Sequence, residues 1–348
     1  MANKTVIKKK RIRIIFIIIA IVVLGALKAF KLYSDIFTPN FSTTACTVFV
    51  PTGVSFDSLV RILNVSGGLA NEKSFRWVAN QKSFKKVKAG KYTFNANATN
   101  NDVVNKLRSG RQSPIKVTFN NLRLKEELAG VVAKQLELDS SSLVVLMNDS
   151  TFISELGFNK YTIPAMFIPN TYEFYWNTSA QQFLLRMNLE YKRFWKGKRE
   201  KKLKGFRMTK VDIVTLASIV DEETLYNDEL PKVAGLYMNR LNKRIRLGAD
   251  PTLKFALGDF NIRRILKKDM RIDSPYNTYI HYGLPPGPIA IPSIQAIDAV
   301  LNYEKHDYIY MCAKHDFSGY HAFAKSHREH LRNAARYHKV LNERKIYR

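Results

Sequence analysis

Residues 215–224 read TLASIVDEET, three consecutive acids closing an apolar run, in a chain with only 29 Asp and Glu against 56 Lys and Arg. At ~100° per residue along a helix, Glu223 falls in line with Leu216, Ile219 and Val220. Asp221 turns toward Val214 and Ala217, and Glu222 lies between Thr215 and Ser218 on the more polar flank. One acid of the three is aimed along the apolar stripe. A carboxyl against an apolar wall is desolvated and its pKa rises, which leaves it protonated near neutral pH and able to donate. Cleavage of a glycosidic bond needs such a donor, because the leaving oxygen departs poorly until protonated. Periodicity alone favours a plainer alternative, a surface helix end whose acids pair with Lys or Arg.

Other segments could serve the same chemistry. ADPTLKFAL places Asp250 beside a proline, where the backbone is expected to be extended. DSPYNTYIHYGLPPGPIAIPS, residues 273–293, has neither helical nor strand periodicity, and its Gly and Pro preset a backbone that exposes its own polar groups. Tyr276, Tyr279 and Tyr282 in it offer flat faces for a pyranose ring, or ordinary core packing. All seven histidines fall in the last 70 residues, with His321, His327 and His330 among them. Their spacing matches neither an H-E-x-x-H helix nor a Cys/His site, so no metal and no cofactor is expected. Cys46 and Cys312 are too few for a disulfide framework and are read as two unpaired thiols.

The chain must carry these residues to the right compartment. Residues 1–34 contain no acid, and a basic tail (1–11) precedes the apolar run Ile14–Leu27. A span needs ~20 residues; with Arg13 and Lys28 reaching to the interfaces, residues 12–33 suffice. No small-residue cleavage site follows, so this is an uncleaved single-pass anchor with its basic side cytoplasmic and the remainder extracytoplasmic. The net charge of +27 suits nucleic acid, anionic lipid or an anionic polymer. Outside the membrane, nucleic acid drops out and membrane headgroups and wall polymers remain. The most basic interior run, Lys192 to Arg207, reads as a solvated helix face and loop.

The expected fold class is α+β. Residues 34–44 read as a linker and 45–112 as a compact module. In it CTVFVPTG is a strand, SFDSLVRIL and KSFRWVANQ are helices, VKAGKYTF is a turn and strand, and TNNDVVNKLRSG is a helix stopped by Gly110. A larger mixed domain covers 113–348. It has a strand at PIKVTF, helices at 123–138 and SSLVVLMND, the helix 210–224, and another through LPKVAGLYMNRL. A loop-rich stretch from Arg246 to Ser293, a hairpin YIYMCA–KHDFSG–YHAFA and a basic C-terminal helix complete it.

In order, LASIVDEET, KVAGLYMNRL, LGADPT, SPYNTYIHYGLPPGPIAIP and HAFAKSH resemble the endolytic murein transglycosylase (YceG-like) family, over nearly the whole chain. The resemblance implies a lyase that cuts the β-1,4 bond between MurNAc and GlcNAc inside peptidoglycan strands. It acts without water and leaves 1,6-anhydro ends. It also implies a LysM-like character for the module at 45–112. The family's essential glutamate falls on Glu223, which would donate to the leaving oxygen and then accept the 6-hydroxyl proton. Asp250 and Asn277 become candidates for orienting the sugar or Glu223, and Tyr276 and Tyr279 for lining the glycan groove. The implied partners are peptidoglycan strands, the cytoplasmic membrane and, as candidates, peptidoglycan synthases. The chain departs from the family pattern at Asp221, Asn170 and Ile291–Ser293. The competing reading is a non-catalytic peptidoglycan-binding membrane anchor, which the module, span and charge would serve equally.

Overall fold

The computed structural model describes residues 2–262 and 265–344, with residues 2–6 described in their backbone only. Met1 of the basic tail, Arg263 and Arg264 in the loop-rich stretch, and residues 345–348 lie outside the described residues. The chain divides into two compact units, Met1–Ile115 with Glu173–Asn177, and Lys116–Tyr172 with Thr178–Arg348.

The first unit begins with helix α1 (Ala2–Phe37). Its part from Ile7 to Phe37 is long and apolar enough to cross a membrane, and the apolar residues from Ile7 to Phe30 are exposed. A helix apolar on every side has no aqueous face. It stops where Thr38 precedes Pro39, because a residue before proline is driven out of helical geometry. Strand β1 (Pro39–Phe41) follows at once, so residues read as linker are structured. Then come β2 (Cys46–Val50), α2 (Phe56–Ser66), α3 (Glu72–Gln81), β3 (Gly90–Phe94), β4 (Ala98–Thr99) and α4 (Asn100–Ser109). β1 pairs with β4, and β2 pairs antiparallel with β3 from Cys46–Phe94 to Val50–Gly90. Ser55, Asn71 and Thr99 cap the three short helices through their side chains, and Gly110 ends α4 in left-handed geometry at φ 73°. The alternating strand faces put Val48, Val50, Tyr92 and Phe94 into one core with Leu59, Leu63, Phe75 and Val104.

The rest of the chain runs β5 (Ile115–Phe119), α5 (Lys125–Ala133), α6 (Ser140–Asn148), α7 (Ser150–Glu155), β6 (Asn170–Phe174), α8 (Ala180–Trp195), α9 (Lys198–Leu203), α10 (Lys210–Glu223), α11 (Leu230–Asn242), α12 (Asp250–Leu257), α13 (Ile294–Leu301), β7 (Tyr310–Ala313), β8 (His321–Ala324) and α14 (His327–Glu343), and all of it but Ile115 and the end of β6 from Glu173 belongs to the second unit. β5 pairs with β6, and β7 pairs antiparallel with β8 as the expected hairpin. The fold is thus a mixed α and β chain with one long apolar N-terminal helix.

Three expected elements differ in the structure. Asp250 opens a helix instead of sitting in extended backbone: Pro251 occupies its first turn, where a missing N–H costs nothing. The helix expected over 123–138 ends at Ala133. α10 is not amphipathic; residues Ile213 to Val220 are all buried, Thr215 and Ser218 included. It is the central helix, packed by α11, α12 and α13. Its polar side chains are spent internally: Ser218 donates to the Thr215 carbonyl (2.8 Å) and accepts from the Ile289 N–H (3.0 Å). The bond to Ile289 moors the Gly-Pro-rich loop on α10. Gly287 in the same loop has no room for a side chain, since a Cβ would lie 2.0 Å from the Tyr161 carbonyl oxygen.

Candidate active site

The three acids closing α10 part company. Asp221 accepts from the N–H (2.8 Å) and hydroxyl (2.7 Å) of Ser293, which also caps α13. Glu222 pairs with Arg123 at 2.8 Å. Glu223 alone faces a cavity of about 210 Å³. So two of the acids tie the central helix to its surroundings, and one is presented to an open space.

The cavity walls come from four segments. α11 contributes Tyr237 and Arg240, three apart and therefore on one face. The Tyr237 hydroxyl donates to Glu223 Oε1 at 2.5 Å. Arg240 is committed to backbone: Nε donates to the Ile309 carbonyl (2.6 Å) and Nη1 to that of Leu247 (2.5 Å). It fixes the strand β7 side and the turn before α12 relative to Tyr237. The turn delivers Gly248 and Asp250, and Tyr279 donates to Asp250 Oδ1 at 2.5 Å. The hairpin delivers Cys312 and His321. His321 is gripped by Glu229, which accepts from its N–H and binds its Nδ1, both at 2.8 Å.

Of the four candidate sugar-binding residues, Asp250 and Tyr279 reach the cavity beside Glu223, whereas Tyr276 and Asn277 do not line it; His321 and Cys312, considered in the sequence only for metal or disulfide roles, line it too. Tyr276 is buried, its ring 4.6 Å from that of Phe255 and 6.5 Å from that of Tyr161. Asn277 is fully buried and spends its amide on its own loop. Nδ2 donates to the Met270 (3.1 Å) and Ile272 (2.9 Å) carbonyls, and Oδ1 accepts from the Tyr279 N–H (2.9 Å). Thr278 between them takes the N–H of Ala249 on its hydroxyl (3.0 Å), and its carbonyl accepts from the Gly248 N–H (3.0 Å). The YNTY segment is therefore a clamp that sets Tyr279 against Asp250.

Electrostatics single out Glu223. Burial raises its pKa from the ordinary 4.5 to about 7, with Asp250 pushing the same way, against the Tyr237 hydrogen bond and the charges of His321 and Arg240. Glu229 goes the other way. Burial would raise it, but hydrogen bonds from His321 and Thr224 prevail and hold it below its ordinary value. Tyr237 and Tyr279 are driven far above the usual phenol range by burial and by the carboxyls they touch, so both stay protonated donors. The cavity thus presents a carboxyl that burial keeps protonated toward neutral pH, while Glu229, behind His321, is held toward its ionised form. A wider groove of about 1180 Å³ includes Met238, Leu241 and Asn242 of α11 in its walls, but its one acid, Asp212, is spent on the N-cap of α10. Among the described residues no three His, Cys, Asp or Glu cluster to hold a metal. His327 and His330 stand instead against the Tyr310 ring. Both cysteines are free thiols.

The YceG-like family profile matches residues 48–336 of the chain. The chain belongs to the YceG-like family. A protein named endolytic murein transglycosylase from Bacillus subtilis is 27% identical over 318 residues, covering 87% of this chain and 88% of the relative. A Streptococcus pneumoniae protein of the same name is 24% identical over 323 residues, covering 83% of this chain but 58% of the longer relative. A crystal structure of a protein described as YceG-like from Listeria monocytogenes superposes with a TM-score of 0.56 at 27% identity, covering 84% of this chain and 99% of that one.

Within this YceG-like site, sequence reasoning misses Tyr237, Arg240 and Glu229 as participants. The signal for the first two is present in KVAGLYMNRL, where an aromatic and a cation three apart interrupt an apolar helix face. Glu229 lies eight residues before Tyr237, outside the motifs that mark the site, and its pairing with His321 spans 92 positions.

Proposed function

We propose that this chain is a membrane-anchored lytic transglycosylase acting within peptidoglycan strands. It breaks the β-1,4 bond between MurNAc and GlcNAc without water, closes a 1,6-anhydro ring on the MurNAc side, and so sets strand length as wall is made. The observation that carries this reading is Glu223: a carboxyl shielded enough to hold a proton to about pH 7, hydrogen-bonded by Tyr237 and facing a cavity. Protonated, it gives its hydrogen to the oxygen leaving C1. The 6-hydroxyl of the same sugar attacks C1 in place of water, so no second carboxylate is needed to activate a water molecule. Asp250 and Tyr279, held together at 2.5 Å, meet the sugar and turn it toward Glu223. Tyr276 and Asn277 serve the same end from behind, by fixing the loop that carries Tyr279. The names of the Bacillus and Streptococcus relatives support the reaction class.

In the same reading residues 12–33 span the cytoplasmic membrane with residues 1–11 inside. Residues 34–44 lead out to a LysM-like glycan-touching module at 45–112, and residues 113–348 are the catalytic domain outside. Peptidoglycan synthases are the partners expected beside it.

The test is Glu223→Gln in the full chain, purified in detergent and given isolated peptidoglycan. Mass spectrometry of the parent's products should show anhydro-ended fragments. The variant should lose about 10³-fold or more in rate, the scale of a positioned proton donor. Equal release by both, or by neither, favours the non-catalytic anchor. A topology reporter fused after Arg348 checks the orientation.

A further inference from the structure

The reaction needs two proton movements, one to the departing oxygen and one from the attacking hydroxyl. The cavity holds a second group built for proton transfer that donation by Glu223 leaves idle. His321 lines the same cavity as Glu223. Its ring is held from behind by Glu229, which is 4% exposed and binds His321 through both carboxylate oxygens, at 2.8 Å each. The Nδ1 bond to Glu229 orients the ring, and Nδ1 carries the hydrogen shared with the carboxylate. Nε2, the nitrogen opposite the one Glu229 holds, has no hydrogen-bond partner among the described residues, in a ring that lines the cavity. A carboxylate behind an imidazole whose outer nitrogen is free fixes the tautomer that accepts a proton at that nitrogen.

We propose that His321, oriented by Glu229, is the base that takes the proton of the attacking 6-hydroxyl while Glu223 supplies the proton to the leaving oxygen. The step balances within the sugar and these two side chains. The bond from C1 to the leaving oxygen breaks, and that oxygen receives the Glu223 proton. The bond from O6 to C1 forms, and the O6 proton passes to Nε2 of His321. Glu223 ends as a carboxylate and His321 as an imidazolium, and one proton passing from ring to carboxylate restores both. His321 is then a catalytic residue and Glu229 a positioning residue. This rests on the transglycosylase reading and divides between two groups what that reading could leave to Glu223.

The charged and titratable groups around His321 are Glu229, Glu223, Tyr237, Arg240, Asp250, Tyr279 and the Cys312 thiol, which burial keeps protonated. Burial alone would lower the imidazole's pKa, but the hydrogen bond to Glu229 and the charges of Glu229 and Glu223 outweigh it and raise it. The two groups also act on each other, His321 favouring the ionised form of Glu223 and Glu223 favouring the charged ring. The pH dependence of kcat should be a bell, its acid limb set by freeing Nε2 and its alkaline limb by loss of the Glu223 proton.

The experiment compares the full-length parent, His321→Gln, His321→Ala and Glu229→Gln in kcat and KM across pH, with thermal melting to check folding. His321→Gln should lower kcat about 10²-fold or more with KM little changed, and abolish the acid limb while keeping the alkaline one. Imidazole added to His321→Ala should restore rate, which a merely structural role would not allow. Glu229→Gln should fall between parent and His321→Gln and shift the acid limb. Should the His321 variants not fold, Glu229→Gln with its shifted limb carries the test. A folded His321→Gln with parent kcat and both limbs intact overturns the proposal, as does an unshifted Glu229→Gln. If the parent makes no anhydro ends, or Glu223→Gln makes as many, the transglycosylase reading itself has failed instead.

Discussion

The first unit and the cavity of the second bury polar groups by opposite rules. In the first, Asn40 donates to Asn100 (2.7 Å) and accepts from the Asn71 N–H (2.7 Å), and Asn100 donates to Ser74 (3.0 Å) and to the Asp35 carbonyl (2.8 Å). The members are neutral, and each donor has its acceptor. Such a net costs nothing to keep closed and cannot move a proton at neutral pH. In the cavity, Glu223 holds one hydrogen bond, from Tyr237, and Nε2 of His321 holds none among the described residues. The contrast separates polar burial that builds from polar burial that reacts. Amides satisfied by amides hold a fold, whereas ionisable groups with unused lone pairs facing a space keep a capacity for chemistry.

That contrast can be broken by experiment. If Glu223 is held protonated against its own preference, the native state binds its proton more tightly than the unfolded chain does. The sign is then fixed: stability is full below the ordinary carboxyl pKa of 4.5 and is lost as pH climbs to about 7. Glu223→Gln should therefore melt with the parent at pH 4 but outlast it at pH 8, by at most about 3 kcal/mol. Chemical denaturation at the two pH values measures it, and equal stability at pH 8 would remove the strain from the site. Asn100→Ala should act in reverse. It removes one partner each from Asn40, Ser74 and the Asp35 carbonyl and should cost about 2 kcal/mol in denaturant unfolding, with kcat unchanged. Tyr237→Phe should have the smallest effect. The bond it removes lowers the Glu223 pKa, so the alkaline limb of kcat should move to higher pH, by about one unit at most. A limb moving down, or not at all, would mean the phenol does not serve the ionised carboxyl.

Much of the fold is legible in the residues alone, because local rules produce it. The helices of the first unit, the stop at Gly110 and, at the site, the two-residue alternation of 310–313 against 321–324 are all short-range. Helical spacing picks out Glu223, though for a reason that is only half right. α10 is buried all round, so its direction matters less than its end, where the helix runs out into a cavity. Whatever depends on distant partners escapes. Asn277 has a composition suited to sugar binding, yet three backbone groups of its own loop consume it. Glu229 and His321 carry no local sign of one another. Residues 39–41 look like a tether but find β4 at Ala98–Thr99, far along the chain.

One atom that is absent by chemistry governs the geometry around the reacting carboxyl. At Gly235, two residues before Tyr237, a Cβ would stand 2.2 Å from the Glu304 carbonyl oxygen and 2.8 Å from Nε2 of His306. His306 in turn binds the Lys232 carbonyl at 2.8 Å, and Asn239 holds the 306 and 308 carbonyls at 2.6 and 3.0 Å. The segment leading into β7 thus lies flush on bare helix. A single methyl there would act as a shim, lifting the hairpin that bears His321 away from the helix that bears Tyr237, and opening the distance across which hydrogen must pass.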